Sequence, residues 1–226
     1  MDPLTPAPTP AVPPSRRLTR RVIQLMIGLV LYGTSLALLV EAGLGLAPWD
    51  VLHEGLSLVT RLSIGMWVIV LGAAVLLLWI PLRQRPGFGT VSNVIVVGLA
   101  VDAALVVLPT AGPLPLRIGY LVVGLLLNAL ATAAYIGARL GPGPRDGLMT
   151  GLAAIGLSIR LARTLVEATV LIGGFLLGGT VGIGTLLYAF GIGPMVQPLM
   201  PRLEVPVQRT PGRLRARGND HRTSDR

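Results

Sequence analysis

Acidic and polar side chains that could bind a cation or a small solute recur inside otherwise apolar stretches of this sequence. One group is a triplet, Asp50, His53 and Glu54, whose i, i+3 and i+4 spacing puts all three side chains on one helix face. Such a face could hold a proton or a metal ion. The solvated side of an interfacial helix has the same composition, however, and no metal site is predicted.

Three further acidic residues lie in or beside long apolar runs, where an ionisable group is costly and is therefore a functional candidate. Asp102 lies well inside a run, Glu167 stands one helical turn from Arg163 and can pair with it, and Glu41 lies at the end of a run. Amides at similar depth suit hydrogen bonds between helices as well as ligand binding. The candidates for solute or ion binding are Asp50, Asp146, Asp102, Glu167, His53, Glu54, Asn93, Asn128 and Gln197.

The segment that carries Asp50 occurs twice in the chain. Residues 45–56 and 141–152 share the frame G-x-x-P-x-D-x-L-x-x-G-L at a shift of 96 positions, and Arg21 corresponds to Arg117 at the same shift. A constant internal offset indicates a duplicated structural unit. The motif residues of the two copies are Gly45, Pro48, Gly55, Gly141, Pro144, Gly151, Gly89, Thr90, Gly184 and Thr185.

Each copy of the segment is predicted to begin a short helix. Proline suits the first helical position, and an aspartate two residues later favours the positive end of the helix. A re-entrant or interfacial helix that acts as a gate, with Asp50 and Asp146 binding a cation or substrate, stays open beside that simpler interpretation. The glycine-rich turns 87–90 and 182–185 could bind an anion at a helix start or could serve close helix packing.

The composition predicts a membrane protein. Hydrophobic residues make up 52% of the 226 residues and charged residues 13%, and the mean hydropathy is +0.73. The absence of cysteine excludes disulfides and thiolate metal sites. The net charge of +9 comes from arginine alone, which suits helix orientation and anionic lipid headgroups. No nucleic-acid partner is expected, because the chain shows no basic face with base-reading groups.

Apolar stretches long enough to cross the bilayer predict an all-α protein with six transmembrane helices. These spans lie near residues 22–41, 64–82, 89–108, 116–138, 161–177 and 184–199. The sequence 191–194, Gly-Ile-Gly-Pro, is expected to break or kink the sixth span. The resulting organisation is a proline-rich disordered tail (1–20), a first membrane repeat (21–109), a second membrane repeat (110–201) and a disordered arginine-rich tail (202–226).

The distribution of arginine predicts that both termini are cytoplasmic, since only Arg61 and Arg117 would then lie near the outer ends of spans. Three spans per unit is an odd number, so the second unit would enter the membrane inverted. Inverted repeats are typical of secondary transporters, whose site lies between the two units. The sequence therefore predicts a membrane carrier of a small solute, with a proton or cation as a candidate coupling ion and a homo-oligomer left open.

The alternative is a membrane accessory protein that supports a partner system and transports nothing. No enzyme is expected, because the chain contains neither an H-E-x-x-H sequence nor a nucleophile motif. No catalytic residue and no cofactor are predicted.

Several of these motifs together resemble a known family. Pro48-Trp49-Asp50 with Gly55-Leu56, the Gly-x-Gly-Thr turns and the run 141–152, GPGPRDGLMTGL, are similar to the YczE/YyaS/YitT-like group of bacterial integral membrane proteins. The resemblance covers about residues 20–200. It implies a bacterial membrane protein and supplies no catalytic residues.

Overall fold

The computed structural model describes residues 14–205, and every regular element among them is a helix. The predicted all-α class is therefore confirmed. The helices are α1 (Pro14–Ala42), α2 (Pro48–Thr60), α3 (Ile64–Leu78), α4 (Phe88–Val107), α5 (Leu114–Gly137), α6 (Pro144–Ala154), α7 (Ile159–Leu176), α8 (Ile183–Val196) and α9 (Met200–Leu203).

Three helices of the described chain are long and apolar enough to cross a membrane, namely Leu18–Ala42 within α1, together with α4 and α5. The pair α2 and α3, which is bent by 116°, would add a fourth span if it were counted as one. The remaining predicted spans correspond to α3, α7 and α8. Of these, α3 has 15 residues and α8 has 14, which is about 22 Å of helix at the usual rise per residue and short for a hydrocarbon core of about 30 Å.

Several predicted boundaries differ from the structure. Helix α1 already begins at Pro14, so the end of the tail predicted at residue 20 falls inside it, and the boundary predicted at residue 201 falls inside α9. Residues 191–194 do not break α8, which continues through Pro194 to Val196. A kink at Pro194 stays a prediction, since this proline has no N–H to donate to the carbonyl four residues earlier. The rest of both predicted tails, 1–13 and 206–226, lies outside the described residues.

Helices α1 and α5 pack against each other in antiparallel directions, and an arginine of each helix caps the other. Arg21 Nε donates to the carbonyl of Ala138 at 2.8 Å, and Arg117 Nε donates to that of Ala42 at 2.7 Å. Arg21 and Arg117 are 96 residues apart, and so are Ala42 and Ala138. The two contacts are therefore equivalent in the two copies of the repeat. A cation suits the free carbonyls and the negative end of a helix C-terminus.

The glycine-rich turns make a second reciprocal contact between the two copies. The N–H of Gly184 donates to Leu44 O at 2.8 Å, and the N–H of Gly89 donates to Leu140 O at 2.9 Å. Next to these bonds, Gly45 has a φ of +114° and lies against the start of α8, so a Cβ would be strained and would clash there. The turns therefore serve close helix packing.

We predict that Arg117→Gln lowers the free energy of unfolding by about 1.5–3 kcal/mol, because the carbonyls of Ala42 and Gly43 lose a charged hydrogen-bond donor. Chemical unfolding of the purified protein in detergent measures this loss. The matched control is Arg160→Gln, which makes the same change at an exposed side chain. Equal stability of the two variants would contradict the capping role.

Candidate functional site

A cavity of about 520 Å³ lies between α2 and α6 and receives residues from each helix α1 to α8. Helices α2 and α6 begin with Pro48 and Pro144, so their first turns carry Asp50 and Asp146, as the repeated frame predicts. The two copies of the P-x-D segment therefore meet at the same cavity.

Asp50 is buried beside this cavity, with 2% of its side chain exposed. Its Oδ1 accepts a hydrogen bond from Arg145 Nη2 at 3.1 Å and lies 3.2 Å from His53 Nδ1. The ion pair joins the first turn of α2 to the first turn of α6. Burial alone would lower the pKa of Arg145, but the Asp50 carboxylate together with Tyr32 and Tyr188 holds the pKa above its usual value.

The guanidinium of Arg145 also lies 5.1 Å from the centre of the Trp49 ring, within the range of a cation–π contact. Trp49 and Arg145 occupy equivalent positions in the two copies, 96 residues apart. The two repeated segments therefore contact each other at equivalent positions, where they carry different side chains.

Asp146 is exposed to the cavity, unlike its buried counterpart Asp50. The hydroxyl of Tyr135 donates to Asp146 Oδ2 at 3.3 Å, and the Tyr135 ring meets that of Tyr32 edge to face with centroids 6.0 Å apart. Tyr188, which also lines the cavity, donates its hydroxyl to Asn128 Oδ1 at 3.2 Å. One wall of the cavity is thus aromatic and carries a carboxylate.

The predicted candidates divide into three sets, which lie in the wall of the cavity, behind that wall, and away from the cavity. Those in the wall of the cavity are Asp146, His53, Glu167, Asn93 and Gln197. Asp50 and Asn128 stand directly behind this wall, each bonded to a residue in it.

Two candidates have structural roles away from the cavity. Asp102 accepts hydrogen bonds from Ser63 Oγ at 2.6 Å and from Gly65 N at 2.8 Å, so it holds the start of α3. Glu54 accepts from Thr180 Oγ1 at 3.2 Å and from the backbone N–H of the same residue. Because Glu54 turns away from its two partners in the triplet, that face does not act as a unit. Among residues 14–205, no group of three or more His, Asp or Glu side chains is placed to hold a metal ion.

The sequence analysis missed the residues that give the cavity its character, namely Trp49, Arg145 and the three tyrosines. A signal for Arg145 and Trp49 was present, because they are the non-matching neighbours of two matching aspartates in the repeated frame. No comparable signal marked Tyr32, Tyr135 and Tyr188, which lie in three different helices.

The two sides of the cavity are packed differently. On the α2 side, Gly174 of α7 lies against the backbone of Val51 and Leu52. At the equivalent place on the α6 side, the indole of Trp79 lies against Gly147 and donates a hydrogen bond to Pro144 O at 3.1 Å.

Exposure follows the same division. In the cavity wall, Trp49 and His53 of α2 are buried, whereas α6 contributes both buried and exposed residues, Asp146 and Thr150 being the exposed ones. The exposed part of this wall therefore lies on the α6 side.

A family model described as "Family of unknown function (DUF6198)" matches residues 19–201. The chain is 41% identical over 174 residues to an uncharacterised protein of Haemophilus influenzae, covering 76% of this chain and 80% of the relative. It is 29% identical over 178 residues to the uncharacterised membrane protein YczE of Bacillus subtilis, covering 77% and 83%. The protein YyaS of the same organism is 29% identical over 183 residues, covering 79% and 91%. The predicted resemblance is confirmed, and no solved structure matches the chain.

We predict that Asp50 and Arg145 are energetically coupled. In a double-mutant cycle with Asp50→Asn and Arg145→Gln, the coupling in unfolding free energy should be about 1–3 kcal/mol, because each single change leaves the other charge unpaired in a half-buried place. The control cycle uses Arg163→Gln and Glu167→Gln, an ion pair whose side chains are 66% and 37% exposed, and should give less than about 1 kcal/mol. Equal coupling in the two cycles would contradict a structural role for the buried pair.

Proposed function

The chain belongs to the family of unknown function DUF6198, and from the cavity between its two P-x-D helices we propose that it is a secondary-transporter-like carrier of the bacterial inner membrane. It moves a small solute by alternating access and catalyses no reaction. Its apolar helices and a relative that is named a membrane protein support the membrane location.

The observation that carries this proposal is the cavity itself, whose wall is built from both copies of the repeated segment. Carriers of this architecture place their site at the interface of two repeats. The antiparallel packing of α1 and α5, with reciprocal caps by Arg21 and Arg117, supports an inverted relation between the two units. In the proposed topology α1, α3, α4, α5, α7 and α8 cross the bilayer, and both termini are cytoplasmic.

Alternating access also needs one closed and one open side. The tight contact at Gly174 and the open wall at Thr150 support a state in which the α2 side is closed and the α6 side is open. His53 is a candidate for a coupling proton, because its Nδ1 shares Asp50 Oδ1 with Arg145. A protonated His53 would compete with Arg145 for that carboxylate and would weaken the link between α2 and α6.

The proposed topology predicts that the loops after α2 and α6 lie on opposite sides of the membrane. Because the chain has no cysteine, Leu62→Cys and Ile155→Cys can be labelled singly, and both side chains are exposed. A membrane-impermeant maleimide should label Leu62→Cys in intact spheroplasts and Ile155→Cys in inverted vesicles. Labelling of both from the same side would overturn the inverted relation and the span count.

Alternating access predicts that a cavity position is reached from both sides in turn. Thr132→Cys in α5 lines the cavity and should react with the impermeant maleimide in spheroplasts and in inverted vesicles. Leu126→Cys, on the same helix but 56% exposed on its outer surface, should react in neither, because lipid covers it. Reaction of Thr132→Cys from the α6 side alone would contradict a carrier and favour a non-transporting accessory protein.

A further inference from the structure

The ionised groups of the cavity do not balance. The cations in its wall are Arg145 and Arg163, whereas the carboxylates in the wall or bonded to it are Asp50, Asp146 and Glu167. Arg145 pairs with Asp50 at 3.1 Å, and Arg163 pairs with Glu167 at 3.0 Å. With His53 neutral, one negative charge remains.

That charge belongs to Asp146. Its hydrogen-bond partner is the neutral hydroxyl of Tyr135, and it takes part in no ion pair among residues 14–205. Apolar walls around a partly enclosed cavity strengthen the attraction of such a carboxylate for a counter-charge. The site is therefore selective in sign, and the favoured ligand is a cation.

The aromatic wall defines the kind of cation. The side chains of Tyr32, Tyr135 and Tyr188 border the cavity, and the hydrogen bond from Tyr135 fixes the carboxylate beside this group. Aromatic faces attract organic cations. An alkylammonium group is weakly hydrated, so it loses little hydration free energy when it moves from water to such a face. Elsewhere in the same cavity, Arg145 already lies over an aromatic ring, that of Trp49, at 5.1 Å from its centre. A strongly hydrated inorganic ion would instead require several oxygen ligands, which Asp146 alone does not supply.

We propose that the cavity binds a small monovalent organic cation, an amine or a quaternary ammonium compound, with its charge against Asp146 and its alkyl groups against the tyrosine rings. This deepens the proposed function, on which it rests in taking the cavity as the solute site. A cavity of about 520 Å³ lies within the usual range for small-molecule sites, about 300–1,000 Å³.

The test compares two probes of nearly the same shape, choline and its uncharged isostere 3,3-dimethylbutan-1-ol. Titration of the full-length protein in detergent should show a saturable rise of the thermal midpoint with choline and no rise with the isostere. An equal response to both probes, or a larger response to propionate than to choline, would overturn the proposal.

A substitution at Asp146 then tests whether this residue supplies the negative charge that binds choline. Asp146→Asn should weaken choline binding by about tenfold or more, since it removes a charge-assisted contact. Glu41→Gln is the matched control, because it also removes a carboxylate but lies outside the cavity wall, and it should leave the affinity unchanged. Unchanged choline affinity in Asp146→Asn would overturn the assignment of the charge to Asp146. If that variant is unstable, the comparison of choline with its uncharged isostere on the unmodified protein still tests the proposal.

Binding in detergent is independent of transport, so the two proposals fail separately. Absence of choline binding, with Thr132→Cys still labelled from both sides, overturns the ligand class and leaves the carrier intact. Choline binding, with Thr132→Cys labelled from one side alone, supports the cation site and overturns the carrier.

Discussion

A helix end packed inside a protein leaves free backbone groups, so the protein must supply their hydrogen-bond partners. In this chain each copy of the repeated unit supplies them for the other. Arg21 and Arg117 cap the opposite long helix, and Gly89 and Gly184 donate to the loop that leads into the opposite P-x-D helix. This exchange aligns α1 against α5 and brings the starts of α2 and α6 to the same place. The position of the cavity follows from it.

Much of the fold could be predicted from the sequence because the repeat is a local, countable pattern. The frame shared by residues 45–56 and 141–152 predicted two equivalent short helices, and α2 and α6 both begin at their prolines as expected. Apolar runs located the longer helices correctly, whereas the short α9 was not predicted. Their lengths were less predictable, since the end of a helix depends on tertiary contacts such as the cap that Arg21 supplies at the end of α5.

The candidate site was less predictable, because its chemistry depends on partners that are distant in the sequence. Asp102 is separated from Ser63 by 39 residues and Glu54 from Thr180 by 126, and both carboxylates proved to hold backbone elements in place. Composition alone could not separate them from Asp146, whose carboxylate faces the cavity. The distinction depends on which charges have already been neutralised by a neighbour.

The unequal packing at Trp79 and Gly174 has a consequence for the history of the duplication. The backbone of Val51 lies against Gly174 in one interface, and the indole of Trp79 lies against Gly147 in the other, so a glycine makes room for its partner each time. Two copies of the first half would oppose Val51 and Trp79 and overfill the contact, whereas two copies of the second half would oppose two glycines and leave a void. Neither half is self-complementary any longer. Each half of the chain is complementary only to the other half, as are the two different subunits of an obligate heterodimer.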